Sequence, residues 1–391
     1  MTAWPCVRLG ECTTVVSGGT PATSDPAFWG GDICWATPKD LSELSGAFIS
    51  DTPRKITEIG LKNCAATVLP VGSVLFSSRA PIGHVAINTT PMATNQGFKS
   101  FVPDPKRVEA KYLYHWLRWN RPNLERLGNG ATFKEVSTAT VSRVEIPLPS
   151  LPNQRRIAAI LDKADDLRAK RRAALARLDM LTQAIFVEMF GDPAANPRGW
   201  PRRRLGEVFA IARGGSPRPI DDFFTDDPDG VNWILIGDAT AGSKYISSTR
   251  KRIRPEGARR SRIVVSGDFL LSNSMSYGRP YIMRTTGCIH DGWLVLSPRD
   301  TAFDADYFYA LLRSDAAYTE FSRRAPGATV KNLNIELVRD VALPVGPAEL
   351  QCKFSERIRA LESRQARMRD CLAALDNLFA SLQQRAFYGE L

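Results

Sequence analysis

Hydroxyl, amide and basic side chains recur in four short loops of the first half of this 391-residue sequence. Glycine lets a backbone approach a ligand closely, arginine can pair with guanine or phosphate, and asparagine and glutamine amides fit adenine. Each loop therefore has the chemistry of a nucleic-acid contact, with a plain turn as the alternative. The candidates are Ser17, Gly18, Gly19 and Thr20 in loop one, Ser77, Ser78 and Arg79 in loop two, Asn95 and Gln96 in loop three, and Thr132 and Lys134 in loop four.

The second half offers a matching set with one informative difference. Loop three reads Thr94-Asn95-Gln96-Gly97 in the first half and Ile289-His290-Asp291-Gly292 in the second, which predicts that the halves read different bases. Loop four keeps threonine and lysine in both halves, which suits a phosphate contact better than base reading. The candidates are Arg213, Gly214, Gly215 and Ser216 in loop one, Asn273, Ser274 and Arg279 in loop two, His290 in loop three, and Thr329 and Lys331 in loop four.

The charge of the chain favours a polyanionic partner. Lysine and arginine number 52 against 41 aspartates and glutamates, a net charge of +11, and the isoelectric point is near 9.4. Basic runs such as Arg202-Arg203-Arg204 and Arg250-Lys251-Arg252 concentrate in the second half. Because the guanidinium fork matches phosphates and guanine edges, DNA fits this pattern. A basic but inert surface is the alternative.

Motifs for chemistry are absent from the sequence. It contains no Gly-x-x-x-x-Gly-Lys-Ser/Thr loop for ATP, no Asn/Asp-Pro-Pro-Tyr/Phe motif of amino-methyltransferases, and no Gly-x-Gly-x-x-Gly after a strand. The three histidines, His84, His115 and His290, are far apart and are expected to be structural. We therefore predict a non-enzyme with no catalytic residue, no metal site and no cofactor of its own.

The cysteines and the chain start suggest a compartment. Seven scattered cysteines without a Cys-x-x-Cys pair suit free thiols in a reducing cytoplasm. The first residues lack the pattern of a signal peptide, and no stretch approaches the roughly eighteen apolar residues of a membrane span. The expectation is a cytoplasmic protein with no membrane contact.

The sequence contains an internal duplication. Trp4-Pro5 with Leu9-Gly10-Glu11 recurs as Trp200-Pro201 with Leu205-Gly206-Glu207, an offset of 196 residues as counted from Trp4 to Trp200. So many matches at nearly one offset indicate two diverged copies. Further matches are Gly18 to Pro21 with Gly214 to Pro217, Trp35 with Trp233, Gly97-Phe98 with Gly292-Trp293, Tyr112 with Tyr307, and Gln154 with Gln351. The recurring aromatic residues are expected to be core.

Each copy ends in a long helix. Apolar residues at alternating steps of three and four predict a coiled-coil seam in both. The seams are expected at Ile157, Ile160, Ala164, Leu167, Arg171, Ala174, Leu178, Leu181 and Ile185, and at Phe354, Ile358, Leu361, Gln365, Met368, Leu372, Leu375, Phe379, Leu382 and Ala386. Arg171 and Gln365 are polar exceptions that could fix register. The basic run from Arg168 to Arg172 is expected to be a solvated face, with a phosphate-facing collar as the alternative.

The fold class predicted is α+β. We expect a first globular domain at 1–150, a first helix at 151–191, a second globular domain at 192–346 and a second helix at 347–391. The Pro/Gly-rich linker after the first helix lets the chain turn back, so the helices are expected to pair as an antiparallel coiled coil, with a large helical core as the alternative. Such a pseudo-twofold repeat suits two half-sites on duplex DNA separated by a fixed gap.

At this point the chain resembles the specificity subunits of type I restriction–modification systems. The resemblance rests on the duplicated order, on Gly-Gly-Thr-Pro at Gly18 to Pro21, and on the Pro-Leu-Pro-x-Leu-x-x-Gln run from Pro147 to Gln154. It implies two target recognition domains that each read one half of a split double-stranded DNA site. It also implies helices that set the gap and dock two methyltransferase subunits, with restriction subunits joining. Those partners would hold S-adenosylmethionine and ATP.

Two rival functions belong to other classes. A self-contained DNA methyltransferase or nuclease would transfer methyl groups or cleave DNA without other subunits, but its motifs are absent. A scaffold whose duplicated domains bind proteins would lack the steep salt dependence that several phosphate contacts impose on DNA affinity.

Overall fold

The computed structural model describes residues 4–44, 46–79, 81–129, 134–239, 243–273, 278–300, 303–324 and 333–391. Contacts divide the chain into two compact units, Met1–Arg172 with Asp370–Leu391, and Ala173–Arg369. Each unit combines one globular domain with part of each long helix, so the compact units do not coincide with the predicted succession of domain and helix along the chain. Four candidates, Thr132, Ser274, Thr329 and Lys331, lie outside the described residues.

The first unit is built of short strands and helices in the first copy. Its elements are β1 Cys6–Arg8, α1 Leu9–Cys12, β2 Thr13–Ser17, β3 Trp29–Ala36, α2 Pro38–Ser42, β4 Phe48–Ile49, β5 Lys55–Ile56, α3 Glu58–Lys62, β6 Val74–Phe76, β7 Val85–Asn88, β8 Met92–Thr94, β9 Lys99–Pro103, α4 Ala110–Trp119, α5 Arg121–Arg126, α6 Thr138–Ser142, β10 Glu145–Pro147 and α7 Leu151–Phe190, which continues into the second unit.

The second unit follows nearly the same order. Its elements are β11 Arg202–Arg204, α8 Leu205–Val208, β12 Phe209–Arg213, β13 Phe224–Thr225, β14 Val231–Ile234, β15 Tyr245–Ile246, β16 Lys251–Ile253, α9 Pro255–Ala258, β17 Arg262–Val264, β18 Phe269–Ser272, β19 Pro280–Met283, β20 Gly287–Ile289, β21 Trp293–Pro298, α10 Ala305–Leu312, α11 Asp315–Arg324, α12 Ile335–Arg339, β22 Ala342–Pro344 and α13 Ala348–Tyr388, which ends in the first unit. Strands β13 and β17 are added and, among the described residues, no α-helix lies at the place of α2.

The sheets of the two copies share one strand order, and the second copy adds two strands. A five-stranded sheet has the order β2-β9-β6-β7-β4 in the first copy and β12-β21-β18-β19-β15 in the second. In both, only the last pair, β4 with β7 and β15 with β19, is parallel. A second sheet contains β5-β3-β8 in the first copy and β16-β14-β20 in the second, where β13 and β17 extend it to five strands. The duplication read from the sequence is thus a duplication of topology, and the α+β class is confirmed.

The helical segment after β9 is divided in two. Helix α4 ends at Trp119 and α5 begins at Arg121. Pro122 explains the break, because proline has no N–H to donate and its ring collides with the carbonyl one turn earlier.

The cores of both copies contain the recurring aromatic residues. Trp35, Trp233, Phe98, Trp293, Tyr112 and Tyr307 are all buried, as expected. The first copy's core extends onto Ile157 and Leu161 of α7 and Phe379 and Phe387 of α13. The second copy's core extends onto Phe186 and Phe190 of α7 and Phe354 and Ile358 of α13. The long helices are therefore part of each domain's hydrophobic core, which stabilises both.

The two long helices pair in an antiparallel sense, and the predicted coiled coil is confirmed. In the second unit Asp179 is hydrogen-bonded to Gln365 at 3.1 Å and Glu188 to Arg357 at 3.4 Å. Residue numbers thus increase along α7 while those of the bonded partners decrease along α13. Gln365 is buried and its amide donates to Asp179, which suits a residue that fixes register.

Two of the nine seam positions predicted for α7 are wrong. Leu167 and Leu181 are exposed, at 48% and 41%, while Leu161 is fully buried. The structure places Arg168 on the inner side, with its guanidinium 4.2 Å from the Phe379 ring centroid and bonded to Asp165 and Asp376. Arg168 is thus a partner of α13, not a member of a solvated face. Because the residue at this inner position is charged, the sequence pattern placed the neighbouring Leu167 on the seam instead.

The repeated glutamine explains the motif at each helix start. Gln154 Nε2 donates to the carbonyls of Pro149, at 2.8 Å, and Arg107, at 2.9 Å, while its Oε1 accepts from the Glu109 N–H. Gln351 Nε2 donates to the Gly346 carbonyl at 2.8 Å. Because buried polar groups must be bonded, this amide fixes the angle at which each helix leaves its domain.

Ion pairs between domain and helix are charge-reversed in the two copies. Lys111 of α4 lies 2.7 Å from Asp162 of α7. The residues at the equivalent positions, counted from Tyr307 and Gln351, are Asp306 of α10 and Arg359 of α13, whose side chains lie 3.4 Å apart. The attraction is kept while both signs are exchanged.

Candidate nucleic-acid interface

Loops one and three of each copy form a single built structure. In the first copy the Gly18 N–H donates to the Phe98 carbonyl and the Gly19 N–H donates to the Thr94 carbonyl. In the second copy the N–H groups of Gly214 and Gly215 donate to the equivalent carbonyls of Trp293 and Ile289. The sequence separates these loops by more than seventy residues, yet backbone hydrogen bonds join them in both copies.

The glycine pair is required by this close approach. A Cβ on Gly18 would lie 1.9 Å from the Asn95 carbonyl oxygen, and a Cβ on Gly214 would lie 2.1 Å from the His290 carbonyl oxygen. Only glycine fits at such a contact. Trp35 adds a further bond, because its Nε1–H donates to the Gly19 carbonyl at 2.9 Å. The glycines thus serve the frame of the loops rather than an approach to a ligand.

Loop two supports loop three from inside the domain. Ser77 and Ser78 are fully buried, and Ser78 Oγ donates to the Gly97 carbonyl at 3.1 Å. Ser77 Oγ donates to the Pro81 carbonyl and accepts from the His84 N–H. Asn273 is also buried, and its Nδ2 donates to the Asp291 carbonyl at 2.8 Å. These three candidates are corrected from ligand contacts to internal supports, because their polar groups are enclosed.

Loop three itself turns on a side-chain cap. In the first copy the Gly97 N–H donates to Asn95 Oδ1 at 2.9 Å. In the second the Gly292 N–H donates to His290 Nδ1, also at 2.9 Å. Burial lowers the pKa of His290 below the ordinary value of 6.5, so the ring stays neutral and keeps the lone pair that the cap needs. His290, selected as a DNA contact, is therefore a capping residue.

The residue after each cap stands at the tip of loop three. Gln96 is exposed, and its Oε1 accepts a hydrogen bond from the Thr20 hydroxyl. Asp291 is 49% exposed at its side chain, and its Oδ1 accepts from the Ser216 hydroxyl at 3.1 Å. Thr20 and Ser216 are equivalent residues of loop one, so one hydroxyl orients one tip side chain in each copy.

Asp291 is a carboxylate at neutral pH. Burial favours its neutral form, but the Ser216 hydrogen bond, a backbone hydrogen bond and the charge of Arg213 outweigh it and hold the pKa of Asp291 below its usual value. Arg213 donates through Nε to the Asp291 carbonyl at 3.0 Å, and Arg218 lies 3.8 Å from the carboxylate. The second tip is thus a hydrogen-bond acceptor flanked by exposed arginines.

A basic groove adjoins the first tip. It has a volume of about 660 Å³ and is lined by Gln96 and Asn95 together with Arg79, Lys39 and Arg54. The structure thus brings three of the predicted residues together with two cations that sequence reasoning missed. Lys39 is exposed at the start of α2, where a Thr37–Asp40 capping box fixes the helix. The Thr-Pro-Lys-Asp pattern that predicts such a box was the available signal.

Aromatic rings orient the Arg54 side chain. Its guanidinium carbon lies 4.7 Å from the centroid of the Trp35 ring and 5.8 Å from that of Trp29. The two rings meet edge to face at 5.0 Å. Cation–π contact orients the arginine while leaving its N–H donors for an anion.

Three other basic residues predicted to contact DNA have exposed side chains. They are Lys134, Arg213 and Arg279.

Fold and site together define an internally duplicated binding protein, in which each α+β copy presents a polar loop tip beside basic side chains. Residues 1–177 match the type I restriction modification DNA specificity domain. This part of the chain is similar to that domain, and the resemblance of the chain to type I specificity subunits is confirmed.

Individual proteins agree with this placement. Over 238 residues the chain is 34% identical to the type I restriction enzyme MjaIX specificity subunit of Methanocaldococcus jannaschii, covering 56% of this chain and 55% of that protein. Over 166 residues it is 28% identical to the EcoR124I/EcoR124II specificity subunit of Escherichia coli, covering 41% of this chain and 40% of that one. The matches thus span about half the length of these curated relatives.

A solved structure covers the whole chain. A chain described under complex assembly and conformational transition of the type I R-M system aligns over 100% of this chain and 99% of its own length, with a TM-score of 0.64 and 22% identity. At that identity the likeness concerns the fold. Within the described residues, no helix combines the length and apolar character that crossing a membrane requires.

Proposed function

We propose that this chain is the DNA sequence-recognition subunit of a type I restriction–modification complex. Each copy reads one half of a split double-stranded DNA site, and α7 and α13 set the gap between the halves. The chain docks two methyltransferase subunits and restriction subunits, which supply S-adenosylmethionine and ATP, and contributes no catalytic group. Seven free thiols suit its action in the cytoplasm.

One observation carries this proposal. Both copies present an equivalent loop tip, built from a glycine pair, a hydroxyl and a side-chain cap at matching positions, but the tip residue is Gln96 in one and Asp291 in the other. A split, non-palindromic site requires two domains that share one loop structure but carry different side chains at the tip. Identical tips would instead suit a symmetric ligand.

The first test is the salt dependence of DNA binding by the full chain. Phosphate contacts release counterions, so log affinity should fall with log salt at a slope near −0.9 for each contact. Replacing Arg54 with glutamine should lower the magnitude of the slope by about 1, whereas the Arg367→Gln control, on the exposed face of α13, should leave it unchanged. A salt-independent affinity would favour a protein-binding scaffold, and methyl transfer to DNA by the chain alone would favour a self-contained enzyme.

The second test concerns the gap. One heptad inserted after Arg172 and a second after Arg369 keep the 3.5-residue periodicity in both helices. Seven residues add about 10 Å to each helix, roughly three base pairs of B-DNA. The preferred gap should widen by that amount while both half-sites stay the same. An unchanged gap in a folded, DNA-binding variant would rule out the spacer role.

A further inference from the structure

We infer that Gln96 and Asp291 are the equivalent base-selecting residues of the two copies, with Gln96 selecting an adenine and Asp291 a cytosine. This inference rests on the proposed function and deepens it, because it names the chemical group that each domain recognises. It assigns the role to the residue that follows the cap in loop three, not to the cap itself.

The equivalence of the two positions follows from their frames. The backbone N–H of Ser78 donates to the Gly97 carbonyl at 2.8 Å, and that of Asn273 donates to the Gly292 carbonyl at 3.1 Å. Together with the caps and the glycine contacts, these bonds hold loop three in the same conformation in both copies. The side chain at the tip can therefore change without a change in its support.

Both tip side chains are oriented before any ligand binds. The Thr20 hydroxyl holds Gln96, and the Ser216 hydroxyl holds Asp291. A side chain whose rotamer is already restricted loses less entropy on binding. Each oxygen that accepts this bond has a second lone pair, and the Gln96 amide also has two N–H donors. The hydroxyl thus orients the tip side chain and leaves its remaining lone pair and N–H donors available to a base.

The chemistry of the tips determines the base. A glutamine amide can accept from the N6 amino group and donate to N7 of the same adenine. A carboxylate only accepts, so it fits the N4 amino group of cytosine and is repelled by the acceptors N7 and O6 that guanine presents. Asp291 remains ionised because the pKa of its carboxyl is held below the usual value.

Near-isosteric substitutions exchange these chemistries. Gln96→Glu removes the amide N–H donors from the first tip, and Asp291→Asn supplies them at the second. Both new side chains still have an oxygen that accepts the hydrogen bond from Thr20 or Ser216. Bound duplexes are selected by the full chain from a pool with randomised half-sites and are then sequenced. Gln384→Glu and Asp370→Asn, at exposed positions of α13, are the matched controls.

Gln96→Glu should change one position of one half-site from adenine to cytosine. Asp291→Asn should change one position of the other half-site from cytosine to adenine. Each preference should shift roughly 5- to 150-fold in relative enrichment, the discrimination of one good side-chain–base pair. The half-site read by the unmutated copy should persist, which shows that the variant is folded.

Three outcomes would overturn the inference. Unchanged wild-type motifs in both variants would mean that the tips do not read bases. Loss of preference at every position of the mutated half would make the tip a structural support. A wild-type chain that binds DNA and selects a split motif without the expected adenine and cytosine would refute the base assignment alone. If the wild-type chain enriches no motif and has no salt-dependent affinity, the proposed function itself fails.

Discussion

Lys244 should be worth more to stability than any exposed lysine of comparable geometry. It lies between the second domain and α13, where its Nζ is hydrogen-bonded to Asp306 and lies 2.7 Å from Glu362. The Lys244 and Asp306 side chains are only 12% and 9% exposed. Burial lowers the pKa of Lys244, but the two carboxylates outweigh it and raise that pKa above its usual value.

Lys244→Met keeps the aliphatic stem and removes the charge. Asp306 would then be a buried carboxylate without its main partner, a loss that typically costs about 3–5 kcal/mol. We expect the lower end, about 3 kcal/mol, because Arg359 still lies 3.4 Å from Asp306. In the Lys244→Met background, Asp306→Asn should recover part of this loss, because it removes the buried charge but also ends the Arg359 ion pair.

Hydrogen exchange measures the effect and locates it. Amides of the second unit that exchange through unit-wide opening should exchange roughly a hundredfold faster in Lys244→Met, as a 3 kcal/mol loss implies. Those of the first unit should not change. Lys353→Met is the matched control, since Lys353 pairs with Glu349 at 2.6 Å while both side chains are mostly exposed. Equal effects of the two variants, or no recovery in the double variant, would refute this reasoning.

Three other predictions follow from the same contacts. Burial lowers the pKa of His290, so its contribution to stability is present above pH 6.5, the ordinary pKa, and is lost as pH falls through and below that value. Between pH 7.5 and 5.5 the melting temperature should therefore fall less in His290→Asn, which keeps the cap, than in the wild-type chain. An equal fall would contradict this. Gly18→Ala should lower the melting temperature and DNA affinity because its Cβ would meet a carbonyl, whereas Gly46→Ala, with nothing within 4 Å, should change neither. Lys111→Asp should destabilise the first unit in chemical denaturation. Adding Asp162→Arg should restore part of the loss, because it recreates the charge order of the second copy but removes the Asp162 partner of the buried His115. A double variant as weak as the single one would count against an equivalent geometry.

The architecture was accessible from the sequence because its signals are long or repeated. Duplication at one offset, forty-residue helices and recurring aromatics each involve many residues, so one misread position does little harm. The seam of α7 was wrong at two positions, Leu167 and Leu181, for the opposite reason. A seam is fixed by single steps of three or four, and Arg168 at an inner position made Leu167 appear to be the seam residue.

The site was accessible only as a set of loops. Ser77, Ser78 and Asn273 have the composition of ligand contacts, but burial makes them supports, and burial depends on contacts far along the chain. Arg54 could not be selected from its neighbours because the rings that orient it include Trp35, on another strand. Composition identifies which loops are polar, while tertiary contacts decide which side chains face outward.

The two copies differ where difference costs the fold least. Gly18 and Gly214 are fixed by steric contact with a backbone, and Gln154 and Gln351 by buried hydrogen bonds, so substitution at either place leaves a clash or an unsatisfied group. The tips, Gln96 and Asp291, need only accept one hydroxyl proton from loop one, a demand that several polar side chains meet. Specificity can therefore diverge at the tip without a loss of stability, which is the condition under which one duplicated domain can come to read two different half-sites.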